Sequence, residues 1–222
     1  MNCEYSHYDP YTITGRPSNH FNGINYAALN SDQRRRFVTR YVNGFLINVD
    51  FSGFHLFLLH LIIGLDFPDD IYKSLSVYYP SDVNPKDHTF KQIYGGIDES
   101  LLDISPFKEI DNLSIALHER YKQGNLTTLL HGKPIQFQSG LSRSKLLSYL
   151  LQNLETEFNS GILDELVQSD DELILYTYDS FLFDVSADNL VGFIDRIKST
   201  LSGIPYKVQI GRNYGNMKTV AI

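Results

Sequence analysis

The sequence predicts an α+β fold, an antiparallel sheet with helices packed on one face. Two short runs rich in apolar and aromatic residues, Phe45 to Val49 and Glu172 to Tyr178, each end at an isolated aspartate, Asp50 and Asp179. A third run, Phe181-Leu182-Phe183-Asp184-Val185, begins two residues after Asp179, so the two later runs read as a hairpin with Asp179 at its tip. Between and around these runs apolar residues recur at helical spacing, most clearly Leu146, Leu147, Leu150, Leu151 and Leu154.

Taken in order, the opening segment to Asn30 is rich in Tyr, Asn, Gly and Pro and reads as loop. Ser31 and Asp32 can cap a short helix through Arg34, Arg35 and Arg36, because their side-chain oxygens accept orphan backbone N–H groups. The first strand ends at Asp50, and a buried helix runs from about Gly53 to Gly64, with Asp66 to Asp70 as its exit. A further helix follows Pro85, a residue suited to a first helical position. Amphipathic helices are expected over 111–123 and 142–158. The hairpin comes next, followed by a helix over 187–201 and a last strand over 206–210. There are no internal repeats or low-complexity tracts.

Composition narrows the function classes. The chain has 222 residues, 19 basic and 26 acidic, for a formal net charge of −7. Free-standing nucleic-acid binders concentrate positive charge, so this balance counts against tight, independent DNA binding. Local basic groups do occur at Arg16, Arg34 to Arg36, Arg40, Lys86, Lys91, Arg143 and Lys145, although a run of three arginines is ordinarily a solvated face. Cys3 is the single cysteine, which excludes an intramolecular disulfide and a cysteine zinc site. The N-terminus lacks a signal pattern, and the most apolar segment, 54–65, is about half the length a bilayer span needs. A soluble cytoplasmic protein, or one of a virus-infected host's cytoplasm, is the expectation, with no membrane partner.

The chemistry-bearing residues fall into two groups. Carboxylates at strand ends, as Asp50 and Asp179 are, can share divalent ions in the way two-metal phosphoryl transfer requires. Lys86, Phe90 and Tyr94 recur every fourth residue, so one helix face offers a cation and two rings, suited to a triphosphate and a base. Each has a plainer reading. An aspartate in such a position is the common turn former, the rings can be core, and Lys86 can be solvated. His55 and His60 are five apart, off the spacing that presents two ligands on one helix face, and no histidine is assigned to metal.

These residues carry a resemblance. Val49-Asp50-Phe51-Ser52-Gly53-Phe54-His55-Leu56 looks like the first catalytic motif of family A DNA polymerases, the bacterial polymerase I type. Lys86-Asp87-His88-Thr89-Phe90-Lys91-Gln92-Ile93-Tyr94-Gly95 resembles that family's nucleotide-binding helix, and Tyr178-Asp179-Ser180 the core of its last motif. Thr14-Gly15-Arg16-Pro17-Ser18 with Gly23-Ile24-Asn25 is similar to the segment leading into the palm. Leu130-His131-Gly132-Lys133 and Gln138-Ser139-Gly140 resemble a turn and a template-contacting helix start, and Ile204 to Asn216 the C-terminal strand. The segments follow the family's order over nearly the whole chain.

The resemblance implies a template-directed DNA polymerase piece. Asp50, Asp179 and the Phe51 carbonyl would hold two Mg²⁺ ions. Lys86, Phe90, Tyr94 and His55 would bind the deoxynucleoside triphosphate, and Arg16, Asn25 and Gln138 would contact primer-template DNA. It implies three parts: the segment into the palm and the first catalytic strand (1–52), reduced fingers with the nucleotide helix 85–95 (53–130), and palm with the hairpin 172–185 and the C-terminal strand (131–222). The motifs begin near the first residue, so either another polypeptide supplies a thumb or exonuclease piece, as in a split polymerase gene, or the chain is a minimal or decayed relative; a phage or other virus is the expected source of such a reduced polymerase. The chain departs from the family at four positions. His55 stands where a glutamate is usual, Asp82 where an arginine is usual, and Tyr178 and Ser180 replace the neighbours of the last aspartate. Those departures leave a second reading open, a non-catalytic polymerase-like protein that binds nucleic acid or joins a replication complex.

Overall fold

The computed structural model describes residues 8, 9, 12–16, 18, 19, 25, 28–168 and 172–222. Cys3, Pro17, Gly23 and Ile24 lie outside the described residues. The chain divides into two compact units, one of residues 1–12, 16–52 and 158–222, the other of 13–15 and 53–157.

The first unit is built on a five-stranded antiparallel sheet. Its strands are β3 (Phe45–Phe51), β4 (Glu172–Tyr176), β5 (Ser180–Val185), β6 (Tyr206–Gly211) and β7 (Lys218–Val220), in the order β4-β5-β3-β6-β7. The earlier β1 (Tyr8–Asp9) and β2 (Ser18–Asn19) form a two-residue antiparallel ladder in the opening segment that reads as loop in the sequence. Central β3 pairs with both β5 and β6, and its residues Leu46 to Val49 are buried on both sides of the pleat, which explains an apolar run rather than an alternation.

Register assigns each side chain to a face. Ile47 and Val49 stand opposite Phe183 and Phe181 of β5, Phe51 stands opposite Tyr206 of β6, and these side chains form one face. On it Phe181 meets Phe51 edge-on at 5.4 Å, and Phe183 meets Phe193 at 4.9 Å. Phe193 belongs to α7 (Leu190–Thr200), whose buried Phe193 and Ile197 cover the sheet there. Leu46, Leu182 and Leu175 gather with Leu29, Phe37, Tyr214 and Met217 on the opposite face. Asp184 is buried beside them, its carboxylate accepting from the Thr39 hydroxyl at 2.5 Å and the Arg40 N–H at 2.9 Å.

The second unit is helical. Its elements are α2 (Phe54–Ile63), α3 (Ile71–Ser76), α4 (Pro85–Gly95), α5 (Phe107–Lys122) and the first part of α6 (Arg143–Leu166), with α2 packed on α5 and α3 on α4. Gly53 and Gly64 bracket α2 at φ of 60° and 72°, left-handed values that favour glycine and so fix its ends. Asn84 caps α4, accepting from the N–H groups of Lys86 and Asp87, and Pro85 takes the first helical position. Asn84→Ala is expected to cost about 1 kcal/mol, read as a shift of the denaturation midpoint.

Several expectations need correction. The cap of α1 (Ser31–Arg34) is Asn30, whose side chain accepts from the Gln33 N–H, rather than Ser31 or Asp32. Helix α5 starts at Phe107, because buried Phe107 and Ile110 extend the stripe that continues through Ser114 and Leu117. Helix α6 continues past Gly161 to Leu166, since Ile162 and Leu166 prolong its buried face and nothing crowds the glycine. Helix α3 was not foreseen, although Asp70 caps it and Ile71 and Leu75 are its buried i, i+4 pair. Strand β7 was also missed, and α7 begins three residues later than expected.

Candidate functional site

The sheet of the first unit brings the two strand-end aspartates to one place. Asp50 is the penultimate residue of β3 and pairs across with Ser180, the first residue of β5. Asp179 occupies the turn between β4 and β5, and its carbonyl accepts the Phe51 N–H at 2.8 Å, which ties the tip of the hairpin to the end of β3. Asp50 is half-buried and Asp179 exposed. Lys207 of β6 lies opposite Asp50 on the other side, so a cation faces the acid across the strands.

Tyr214 registers both charges. Its phenol is pushed up from the usual tyrosine value, chiefly by burial, and the carboxylates of Asp50 and Asp179 add to the rise while the Arg34 guanidinium opposes it. Arg34 lies over the Tyr214 ring at 4.9 Å. The tail that carries Tyr214 is fastened to α1, where the Tyr214 N–H donates to the Phe37 carbonyl at 3.0 Å and Asn213 donates to the Arg35 carbonyl. Gly215 sits so close to α1 that an added Cβ would lie 2.8 Å from the Ser31 carbonyl oxygen. A raised phenol pKa means the folded state keeps a proton that the unfolded chain gives up. The stability linked to Tyr214 is therefore fully present below about pH 10 and is lost as the pH rises above it. Urea midpoints measured from neutral to strongly alkaline pH are expected to fall further for the native chain than for Tyr214→Phe.

The hairpin turn is held in an uncommon shape. Tyr178 has φ of 66°, and it is the non-glycine residue with positive φ among the described ones. Such a conformation costs of order 1–3 kcal/mol and persists where surrounding contacts impose it. Here buried Asn159 of α6 donates to the Tyr178 carbonyl at 2.7 Å and to the Tyr176 hydroxyl at 3.0 Å. Arg16 lies over the Tyr178 ring at 4.7 Å, which puts a guanidinium beside the residue preceding Asp179. Ser180 is buried with its hydroxyl bonded to that of Thr177.

The other candidates lie in the second unit, apart from Asn25. Lys86 is exposed and lies 5.8 Å from the Phe90 ring; Phe90 and Tyr94 are stacked at 5.7 Å and 13°. The ladder is thus a half-buried pair of parallel rings with a cation at one end. His55 is buried, hydrogen-bonded through Nδ1 to the Tyr94 hydroxyl and facing Glu155 through Nε2 at 3.6 Å. Gln138 is exposed, its carbonyl accepting from the Tyr121 hydroxyl at 2.5 Å. Residues 130–133 do form a turn, closed by the Thr128 N–H on the Lys133 carbonyl at 2.8 Å. Asn25 is exposed in the first unit, its carbonyl accepting from the Ala28 N–H at 3.1 Å. Asp82 is exposed in the turn before α4.

Asn159, Glu155 and Tyr214 were not singled out from the sequence. Glu155 and Asn159 were legible in principle as polar residues four apart on the leucine face of α6, where a buried polar group needs a partner. Among the described residues, no three His, Cys, Asp or Glu side chains gather as a metal cluster, and no helix is long and apolar enough to cross a membrane.

No family model matches the sequence, and no curated protein matches it. Among solved structures the chain is similar to the POL domain of Pol1 from M. smegmatis in complex with DNA primer-template and dNTP, with a TM-score of 0.72 and 14% identity. The match covers 95% of this chain and 48% of that one, so this chain spans about half the length of its structural neighbour. The chain therefore has a polymerase-like fold, its five-stranded antiparallel sheet corresponding to a palm.

Proposed function

We propose that this chain is the palm and nucleotide-binding part of a template-directed DNA polymerase of the family A type, which adds deoxynucleotides to a primer 3′ end. The observation that carries the reading is the joining of Asp50 and Asp179 at one end of the sheet, through the Phe51–Asp179 hydrogen bond and their shared influence on Tyr214. Residues 1–52 and 131–222 supply the palm in this reading, and 53–130 a reduced fingers part.

The donor set suits Mg²⁺. It consists of hard oxygens, the carboxylates of Asp50 and Asp179 with the Phe51 carbonyl, and Mg²⁺ binds through one or two carboxylates plus waters and substrate phosphates. Bound there, magnesium would acidify a primer hydroxyl and neutralise charge on the leaving pyrophosphate. The chain's own side chains have separate tasks. Lys86 attracts the triphosphate, and the Phe90 and Tyr94 rings pack against sugar and base, with His55 bonded behind them. Arg16, braced on Tyr178, with Asn25 and Gln138 contacts the primer-template, where minor-groove acceptors are common to every base pair.

The test is incorporation of matched deoxynucleotides into a labelled primer-template with Mg²⁺ at low salt. Incorporation with sequence fidelity to the template supports the reading; its absence, also after a thumb partner is added, refutes it. With the basic groups on the duplex path, log affinity for DNA is expected to fall linearly with log salt, the slope reporting the number of phosphates neutralised. Arg16→Ala lowers that slope by about one.

A second reading, a non-catalytic polymerase-like protein that binds nucleic acid or a replication complex, is favoured by Ser180. Its hydroxyl is engaged by Thr177, and among the described residues no third His, Cys, Asp or Glu joins Asp50 and Asp179 as a metal cluster. DNA binding that persists without Mg²⁺ and without incorporation would select it.

A further inference from the structure

A buried polar chain runs behind the ring ladder. It begins at Glu155 on α6, 1% exposed, passes to His55 on α2, 8% exposed, and ends at the Tyr94 hydroxyl on α4. From Tyr94 the contacts continue through the stacked Phe90 ring to Lys86. Five side chains from three helices thus form one path, with a carboxylate at the inner end and an ammonium at the outer.

A carboxylate so far withdrawn from water is costly unless a partner compensates it. The 3.6 Å between Glu155 and His55 Nε2 is beyond a hydrogen bond but within ion-pairing range, so the carboxylate acts on the imidazole mainly through its charge. A negative charge facing Nε2 favours a proton on that nitrogen. In the neutral ring Nδ1 is then an acceptor, and the Tyr94 hydroxyl donates to it. With its proton committed to His55, the Tyr94 oxygen can act only as an acceptor toward any other group. In the opposite tautomer Nδ1 would donate, and Tyr94 would act as a donor instead.

We infer that Glu155 is a positioning residue for the nucleotide-binding helix. It sets the tautomer of His55, and through it the direction of the Tyr94 hydrogen bond, so that the ring ladder offers an acceptor to the bound nucleotide. This rests on the reading of α4 as the nucleotide-binding helix, but its first half, the tautomer, does not depend on any ligand.

Two measurements test it. Long-range ¹H–¹⁵N correlation of the His55 ring, well above the usual histidine pKa, reports the tautomer in the native chain and in Glu155→Gln, which keeps the side-chain shape. The native ring carries its proton on Nε2, and Glu155→Gln, which removes the negative charge that favours that proton, raises the share of the ring protonated on Nδ1. Affinity for a deoxynucleoside triphosphate with Mg²⁺ is then measured by calorimetry for Glu155→Gln, Tyr94→Phe and the double variant. Each single change weakens binding by about tenfold, and the double variant is no weaker than Tyr94→Phe, as expected for residues acting through one hydroxyl. An Nδ1-protonated native ring, an unchanged tautomer in Glu155→Gln, or additive losses would each overturn the inference. A native chain that binds no nucleotide would refute the ladder's proposed role, while the ring nitrogens would still decide what Glu155 does to His55.

Discussion

Asp50→Ala and Asp179→Ala are each expected to lower primer extension by about 10³-fold or more, with the fold retained. The charge neutralisation that two-metal transfer relies on amounts to several kcal/mol of transition-state stabilisation, and each factor of ten in rate requires about 1.4 kcal/mol. Neither carboxylate is deep in the core, so alanine leaves no sizeable cavity. The backbone contact between Phe51 and Asp179 does not involve either side chain and survives both changes. Extension rates and circular dichroism measured on the same preparations check both halves. Because the two acids act as one site, the double variant should be no slower than either single one.

Phe181→Ala is expected to be the most damaging apolar substitution near the site, costing about 3–5 kcal/mol. Phe181 is fully buried and touches the rings of Phe51, Tyr176 and Phe183. It lies one residue beyond Ser180, under the strand ends that carry both aspartates. A melting temperature lower by about 10 °C follows for a chain of this size, with a loss of extension at temperatures the native chain tolerates. The exposed Ile115, changed to alanine, should shift stability by less than about 0.5 kcal/mol, and thermal unfolding of the two variants in parallel checks the contrast.

The parts of the fold legible in the sequence were those set by local chemistry. Gly53 and Gly64 bracket α2, Pro85 opens α4, and the run from Glu172 through Val185 with Asp179 between its halves is the β4–β5 hairpin. The Asn30 cap of α1 was local chemistry as well, a reciprocal pair of bonds with Gln33, but most of what escaped was decided by packing. Residues 107–110 are helical because Phe107 and Ile110 complete a buried stripe. The short β7 has a sequence, Lys-Thr-Val, that carries no strand signal of its own, and pairing with β6 makes it one. At the site, Asp50 and Asp179 are 129 positions apart, and nothing local reveals that they meet; that came from the resemblance and is realised by the β3–β5 register. Glu155 and Asn159 were legible in principle as polar residues on the leucine face, but nothing local named their partners, His55 and the turn at Tyr178, which lie elsewhere in the chain. Tyr214 depends likewise on Arg34 and on the two aspartates.

The central claim is that Asp50 and Asp179 together form a divalent metal site completed by substrate. Binding of Mn²⁺, followed by electron paramagnetic resonance in the presence of a dideoxy-terminated primer-template and the matching deoxynucleoside triphosphate, tests it most directly. The native chain should bind the ion tightly only in that complex, and Asp50→Asn and Asp179→Asn should each abolish the tight site. Mn²⁺ binding that is equal in the native chain and both variants would contradict the claim, as would a native complex that binds none.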